Sequence, residues 1–407
     1  MNVEYFIAKK LFSSKKKNNS FTKPIINIAI IAVAISVAVM LISIIVINGF
    51  KKDISSKVVG FGSHIVISNF SNNNSYESEA LNASLELKNS LKKIKGIESV
   101  NAFATKAAII KTKQEIHGVI LKGVSHNYDW SFFNDNLIDG EPIKLDLNSK
   151  SSDVLISEEI SSRLKLNVSD KLIMYFMQEP TRVRKFNVKG VYSTAMVDFD
   201  ELYVLGDIKH IQSLNSWTEN QVGGFELSIS DFSQLDQITN EVYEAIPYNL
   251  NAQSIKEKVP QIFDWLDLQD MNVIVILILM FLVAVINMIT ALLILILEKT
   301  KLIGILKAMG ATNWSIRKIF VYLAVHLTIR GLIIGNSISL LLVFLQLKFS
   351  IISLDPQTYY MSTVPVYFDF SQIFILNISA IIICYFILII PSMIISRISP
   401  VKAIRFQ

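Results

Sequence analysis

"PIINIAIIAVAISVAVMLISIIVI", residues 24–47, runs without a single charged side chain. A bilayer core about 30 Å thick takes about 20 residues of apolar helix, so this run is long enough to cross one. It is too long for a secretory leader's apolar segment and lacks a small-residue cleavage site, so a cleaved signal peptide is the weaker reading. Three more stretches pass the same test, at 271–297, 319–347 and 372–395, the second of them interrupted by His326 and Arg330. Composition agrees: 51% of the 407 residues are hydrophobic and 18% charged, with mean hydropathy +0.44. A soluble surface needs more charge than that.

The expected order is a basic amphipathic tail (1–23), span one (24–47), a long insert (48–270), span two (271–297) and a short basic segment (298–318). Span three (319–347), a loop (348–371), span four (372–396) and a second tail (397–407) follow. Lysine and arginine near span ends set orientation. The first tail carries Lys9, Lys10, Lys15, Lys16, Lys17 and Lys23. The short segment carries Lys299, Lys301, Lys307, Arg317 and Lys318, and the last tail Arg397, Lys402 and Arg405, whereas the 348–371 loop has only Lys348. Both termini are therefore expected in the cytoplasm and the insert outside it. Beside a membrane span, the lysine-rich tail reads as a membrane-side segment, not a nucleic-acid patch.

The insert reads as α+β. "HIVIS" (64–68), "KAAIIKT" (106–112), "HGVILKGV" (117–124), "KLIMYFM" (171–177), "KFNVKGVY" (185–192) and "GFELSIS" (224–230) have strand character. Helical periodicity falls at 79–94, 157–166 and 232–246, with Ser157 as a cap, and "SNFSNNNSYES" (68–78) is a polar loop. In "SIKEKVPQIFDWLDLQDM", Ile255, Val259, Ile262, Phe263 and Leu266 share a face, and Pro260 kinks the helix or begins it. Span one continues as "NGFKKDISSKV" without linker-like Gly, Ser and Pro enrichment. Helical stalks at both ends of the insert are expected.

Several chemistries leave no trace in the sequence. There is no G-x-x-x-x-G-K-[ST] phosphate loop, no G-x-S-x-G or H-E-x-x-H motif, and the five histidines show no metal-ligand spacing. No catalytic residue, metal or cofactor is expected in this chain. Asp198 and Asp200 in "MVDFDELY" read as a solvated turn. The lone Cys384 excludes an intramolecular disulfide. Within the spans, Arg330 would cost about 3 kcal/mol facing lipid, so it snorkels, pairs, or serves a conformational switch. Gly331 and Gly335 form a G-x-x-x-G helix-packing motif. Asn27, Ser36, Ser43, Asn287 and Thr290 are expected to hydrogen-bond between helices.

The basic segment "LEKTKLIGILKAMGATNWSIRKIF" (297–320) has Leu302, Ile305, Leu306 and Met309 on one stripe, away from the lysines. Gly310 suits a left-handed helix end, and Thr312 or Asn313 caps the next helix. The segment is either an interfacial anchor or a lever that docks a cytoplasmic partner.

This segment resembles the signature of FtsX/MacB/LolC-type ABC transporter permeases. "NGFKKDI", "LISEEISSRLKLNVSDKLIMYF", "VKGVYSTAMVDFDELYV", "IISLDPQTYYMSTVPV" and "IIPSMIISRISPVKAIRF" carry the resemblance from end to end. They are most similar to the lipoprotein-releasing LolC/LolE branch. The resemblance implies four transmembrane helices with a MacB-like periplasmic core domain between the first two, in the cell inner membrane. It implies a permease subunit that extracts lipoproteins from the outer leaflet, works with a second copy or paralogue, and is driven by a separate LolD-like ATPase that holds the ATP and Mg. The coupling contacts carried over are Lys301, Ile303, Gly304, Leu306, Lys307, Ala308 and Gly310. Lipid or acyl-chain lining falls to Met40, Ile44, Ile47, Phe50, Val273 and Ile276. Met177 and Pro180 mark the place where a LolA-like periplasmic carrier would dock; the family captures it on an extended hairpin, for which "MYFMQEPTRVRKF" (174–186) is short. Leu302 stands where the family often has an acid. A MacB-like or FtsX-like role in efflux or cell-wall hydrolase control is the alternative, and a membrane-anchored sensor or scaffold the rival from another class.

Overall fold

A computed structural model of the chain describes residues 4–8, 22–70, 76–112 and 115–392. The lysines at 9–17, part of the 68–78 loop and the C-terminal tail lie outside the described residues. The chain divides into two compact units.

The first unit takes in Leu266–Ile352 and the described parts of Met1–Lys51 and Val364–Gln407. Its long helices belong to Thr22–Gly62, Pro260–Glu298, Asn313–Phe349 and Phe370–Ser392. Each is long and apolar enough to cross a membrane. The first helix is the most enclosed, with Val33, Val37, Met40, Leu41 and Ile45 all at 2% exposure or less. The second turns Ile274, Val275, Ile278, Leu279 and Leu282 outward, as a lipid-facing helix does.

Gly331 and Gly335 explain how the first and third helices come so close. A Cβ added at Gly335 would stand 2.6 Å from the Ala34 carbonyl oxygen, and one at Gly331 2.6 Å from Val33. The two glycines let the backbones touch, which in lipid replaces the hydrophobic drive. The polar pairs differ from expectation. Asn336 Nδ2 donates to Asn377 Oδ1 at 2.7 Å and Asn377 returns a bond at 3.2 Å, joining the third and fourth helices. Asn48 Nδ2 donates to Gln372 Oε1 at 2.9 Å. Thr290, expected to reach a neighbour, instead donates to the Ile286 carbonyl of its own helix at 2.9 Å, the local bond that short hydroxyl side chains make most easily.

The second unit takes in Ser353–Thr363 and the described parts of Lys52–Trp265. Ten strands form one mixed sheet in the order β12-β1-β11-β3-β4-β9-β6-β8-β5, with β7 pairing β3 and β8. Here β1 is Ile65–Asn69, β3 Ile97–Lys111, β4 Ile116–Val124, β5 Leu137–Gly140 and β6 Asp153–Ser157. β7 is Lys171–Phe176, β8 Arg182–Tyr192, β9 Tyr203–Asp207, β11 Gly224–Ile229 and β12 Leu250–Ser254; β2 (Leu81–Asn82) pairs with β10 (Gln221–Val222). In β7, Leu172, Met174 and Phe176 point into the core while alternate residues face out, the period of a half-buried strand.

Three expectations are corrected in this unit. The 79–94 helix is shorter, Leu85–Lys93, because Ser84 caps it by accepting from the Leu87 N–H and the residues before it pair as β2. The helix entering span two is broken. Ile255–Lys258 is one turn opened by a Ser254/Glu257 capping box, Val259 leaves helical geometry, and Pro260 begins the long helix, one of the two roles expected of it. Proline's missing N–H is harmless there, so Ile255 and Val259 do not continue the face of Ile262, Phe263 and Leu266. The third concerns Asp200, described below.

Candidate functional sites

The short helix of the basic segment spans Thr300–Ala308. Gly310 takes φ +91 with open space around it, and the N–H groups of Gly310 and Ala311 donate to the carbonyls of Lys307 and Leu306. That closes the helix in the left-handed manner glycine permits. Thr312 caps the next helix, accepting from the Ser315 N–H at 3.2 Å. Of the seven coupling residues, Ile303 and Gly304 are buried, Ile303 in one core with Ile316 and Phe320. Leu306 and Lys307 are half-buried, and Lys301, Ala308 and Gly310 are exposed. Burial lowers the Lys307 ammonium's pKa from the ordinary lysine value. The most exposed apolar groups are Ile305 at 43% and Met309 at 79%. The helix therefore has two apolar faces, one spent on its own bundle and one left outside.

Met40, Ile44 and Ile47 are buried, whereas Phe50, Val273 and Ile276 are half-buried. Met177 and Pro180 are exposed at the turn between β7 and β8.

Sequence reasoning missed a second site, in the α+β unit. A helix leaves its last carbonyls without partners. At the end of the helix Thr22–Gly62, Lys122 from β4 donates its ammonium to the Phe61 carbonyl. The same ammonium pairs with Glu226 of β11 at 2.6 Å, both side chains 4% exposed. A cation is also what the negative end of a helix dipole favours. The Phe61 ring meets Phe133 at 5.6 Å, stacks on Phe199 at 5.2 Å and approaches Tyr192 at 6.1 Å. The helix end is thus held by its backbone and by its last aromatic ring. The signal for it was a lysine and a glutamate, each inside an otherwise apolar strand, "HGVILKGV" and "GFELSIS".

Asp198 is exposed, as a turn residue should be, but Asp200 is not a solvated residue. It is 2% exposed, and its carboxylate accepts from the Thr194 N–H and hydroxyl, both at 2.9 Å. Lys57 donates to the Tyr360 carbonyl at 3.0 Å and Tyr360 Oη donates to Asp198 at 3.4 Å. Ser353–Thr363 is tied to this unit through those bonds.

Two titrating groups here oppose each other. Loss of water raises Asp200 to about 6, against the Thr194 hydrogen bonds. Burial lowers His64 to about 4. Folded Asp200 keeps a proton between about pH 4 and 6 that the unfolded chain has lost, so its contribution falls as pH rises through that window. Folded His64 stays neutral between about pH 4 and 6.5 while the unfolded chain is protonated, so its contribution rises. Each amounts to at most roughly 3 kcal/mol, and they nearly cancel. Asp200→Asn is expected to make the melting temperature climb from pH 4 to 6.5, and His64→Gln to make it fall. Parallel profiles for parent and both variants in a thermal-shift series would refute this pairing.

Apolar helices of spanning length, a basic connecting helix and a folded α+β domain define an integral membrane protein of modular build. Residues 28–245 match the MacB-like periplasmic core domain, and residues 274–400 match the FtsX-like permease C-terminal region. The chain belongs to the FtsX/MacB family of ABC transporter permeases. It is similar to the lipoprotein-releasing system transmembrane protein LolC of Buchnera aphidicola subsp. Schizaphis graminum, at 24% identity over 80% of each chain. It is also similar to the corresponding LolE of Haemophilus influenzae, at 21% identity over 84% of this chain and 82% of that one. The periplasmic region of MacB from Actinobacillus actinomycetemcomitans aligns with 51% of this chain and 95% of its own, at 16% identity and a TM-score of 0.36.

Proposed function

We propose that this chain is the membrane subunit of a transporter that releases lipoproteins from the outer leaflet of the inner membrane. The observation that carries this reading is similarity to both LolC and LolE over about four-fifths or more of either partner. In this reading the four helices cross the bilayer, the termini and the helix Thr300–Ala308 face the cytoplasm, and the α+β unit lies in the periplasm. Membership of Ser353–Thr363 in the α+β unit supports placing that loop and the insert on the same side of the bilayer. That loop follows the third span, the α+β insert precedes the second, and two crossings separate them.

A partner ATPase supplies the energy, with ATP and Mg bound there. Ile305 and Met309, with Lys301 beside them, meet that partner, while Ile303 and Gly304 transmit the push into the bundle because they are packed inside it. A second permease, identical or paralogous, completes the assembly. Cargo acyl chains pass along Met40, Ile44 and Ile47 once the first and second spans part. Met177 and Pro180 offer the carrier only a short turn.

The test uses the outward face, so that folding is spared. Ile305→Asp and Met309→Asp are expected to cut lipoprotein-stimulated ATP hydrolysis by the copurified complex at least about tenfold, the effect of losing an interface anchor. Depletion of the chain is expected to leave lipoproteins in the inner membrane. Normal sorting on depletion would sink the lipoprotein reading. Unchanged hydrolysis in both variants would sink the coupling assignment.

A further inference from the structure

We propose that the α+β unit holds a binding site for a single-chain anionic amphiphile, with Lys258 as the head-group contact and Phe61, Phe103, Tyr203 and Ile262 as the wall for the chain. These residues line a cavity of about 420 Å³ wholly within that unit. The volume lies within the range of small-molecule sites. A cavity of this volume admits one medium-length chain.

The charges decide the head group. Lys122 and Glu226 reach the cavity but neutralise each other at 2.6 Å. Asp198 is exposed and already accepts from Tyr360 Oη. Lys258 has no hydrogen-bond or ion-pair partner among the described residues. It is exposed and lines the cavity, and burial of its ammonium lowers its pKa below the usual lysine value, against the Glu226 carboxylate, which raises it. An accessible ammonium without a partner gains from a charge-assisted bond to an anion. Apart from Thr105 and Gln261, the remaining wall is mostly aromatic and aliphatic, as an alkyl chain requires.

The experiment uses the full chain in phosphatidylcholine nanodiscs and three photoreactive twelve-carbon probes carrying a diazirine: a carboxylic acid, the matching alcohol and the matching amine. The acid is expected to form adducts on peptides containing Phe61, Tyr203 or Ile262, displaced by unlabelled dodecanoate. Lys258→Glu is expected to reduce those adducts at least tenfold at an unchanged melting temperature. Leu202→Trp, which narrows the cavity while keeping Lys258, is expected to reduce them as well. Adducts confined to the spanning helices would overturn the proposal. So would labelling by the alcohol or amine equal to that by the acid, or full labelling of Lys258→Glu.

Discussion

Lys122→Met will destabilise the α+β unit by about 3–5 kcal/mol, the cost of stripping one partner from a buried ion pair. The variant leaves the Glu226 carboxylate in a place only 4% exposed, and it deprives the Phe61 carbonyl of its donor. For a unit of this size the melting temperature should drop by roughly 10 °C or more. The double variant Lys122→Met, Glu226→Leu should regain most of that loss, because two packed apolar side chains can match a buried pair. The thermal unfolding series of parent, single and double variants checks both halves. A single variant within about 0.5 kcal/mol of parent would show that the pair holds nothing. A double variant no better than the single would shift the weight to the Phe61 carbonyl bond.

Gly335→Leu should separate the first and third helices. Its first added carbon would already stand 2.6 Å from the Ala34 carbonyl oxygen and 3.0 Å from Val37. A backbone oxygen cannot rotate away as a side chain can, so the helices must move. Overpacking of this kind costs typically 1–3 kcal/mol and here falls at the top of that range. Ile334→Leu, one residue earlier and 43% exposed, is the matched control and should be silent. Thermal aggregation of the two purified variants measures the difference, and equal midpoints would dismiss the close approach as a stabilising contact.

The short helix shows where periodicity stops being informative. Its stripe of Leu302, Ile305, Leu306 and Met309 is real, yet Ile303 and Gly304 are the residues buried in the bundle. A helix joined to two spans has apolar neighbours on both sides, and spacing along the chain cannot say which face is taken. β6, β9 and β12 went unread for a related reason. "DVLIS" and "YVLGD" are short buried runs whose last residues, Ser157 and Asp207, cap the helices that follow. "LNAQS" owes its strand to pairing with β1 along an edge. Asp200 was misread because solvation belongs to the surroundings of a residue, and there it is buried and held by two hydrogen bonds from Thr194.

Spanning-length apolar runs, the side on which basic residues gather, and the helix stop at Gly310 were legible in the chain alone. Bilayer thickness, interfacial charge and backbone sterics act on residues that are neighbours in sequence. The partner of Gly335, the meeting of Lys122 with Glu226 and the cavity around Lys258 depended on folding. Each joins segments far apart along the chain, and only a closed sheet or a packed bundle brings their atoms within reach.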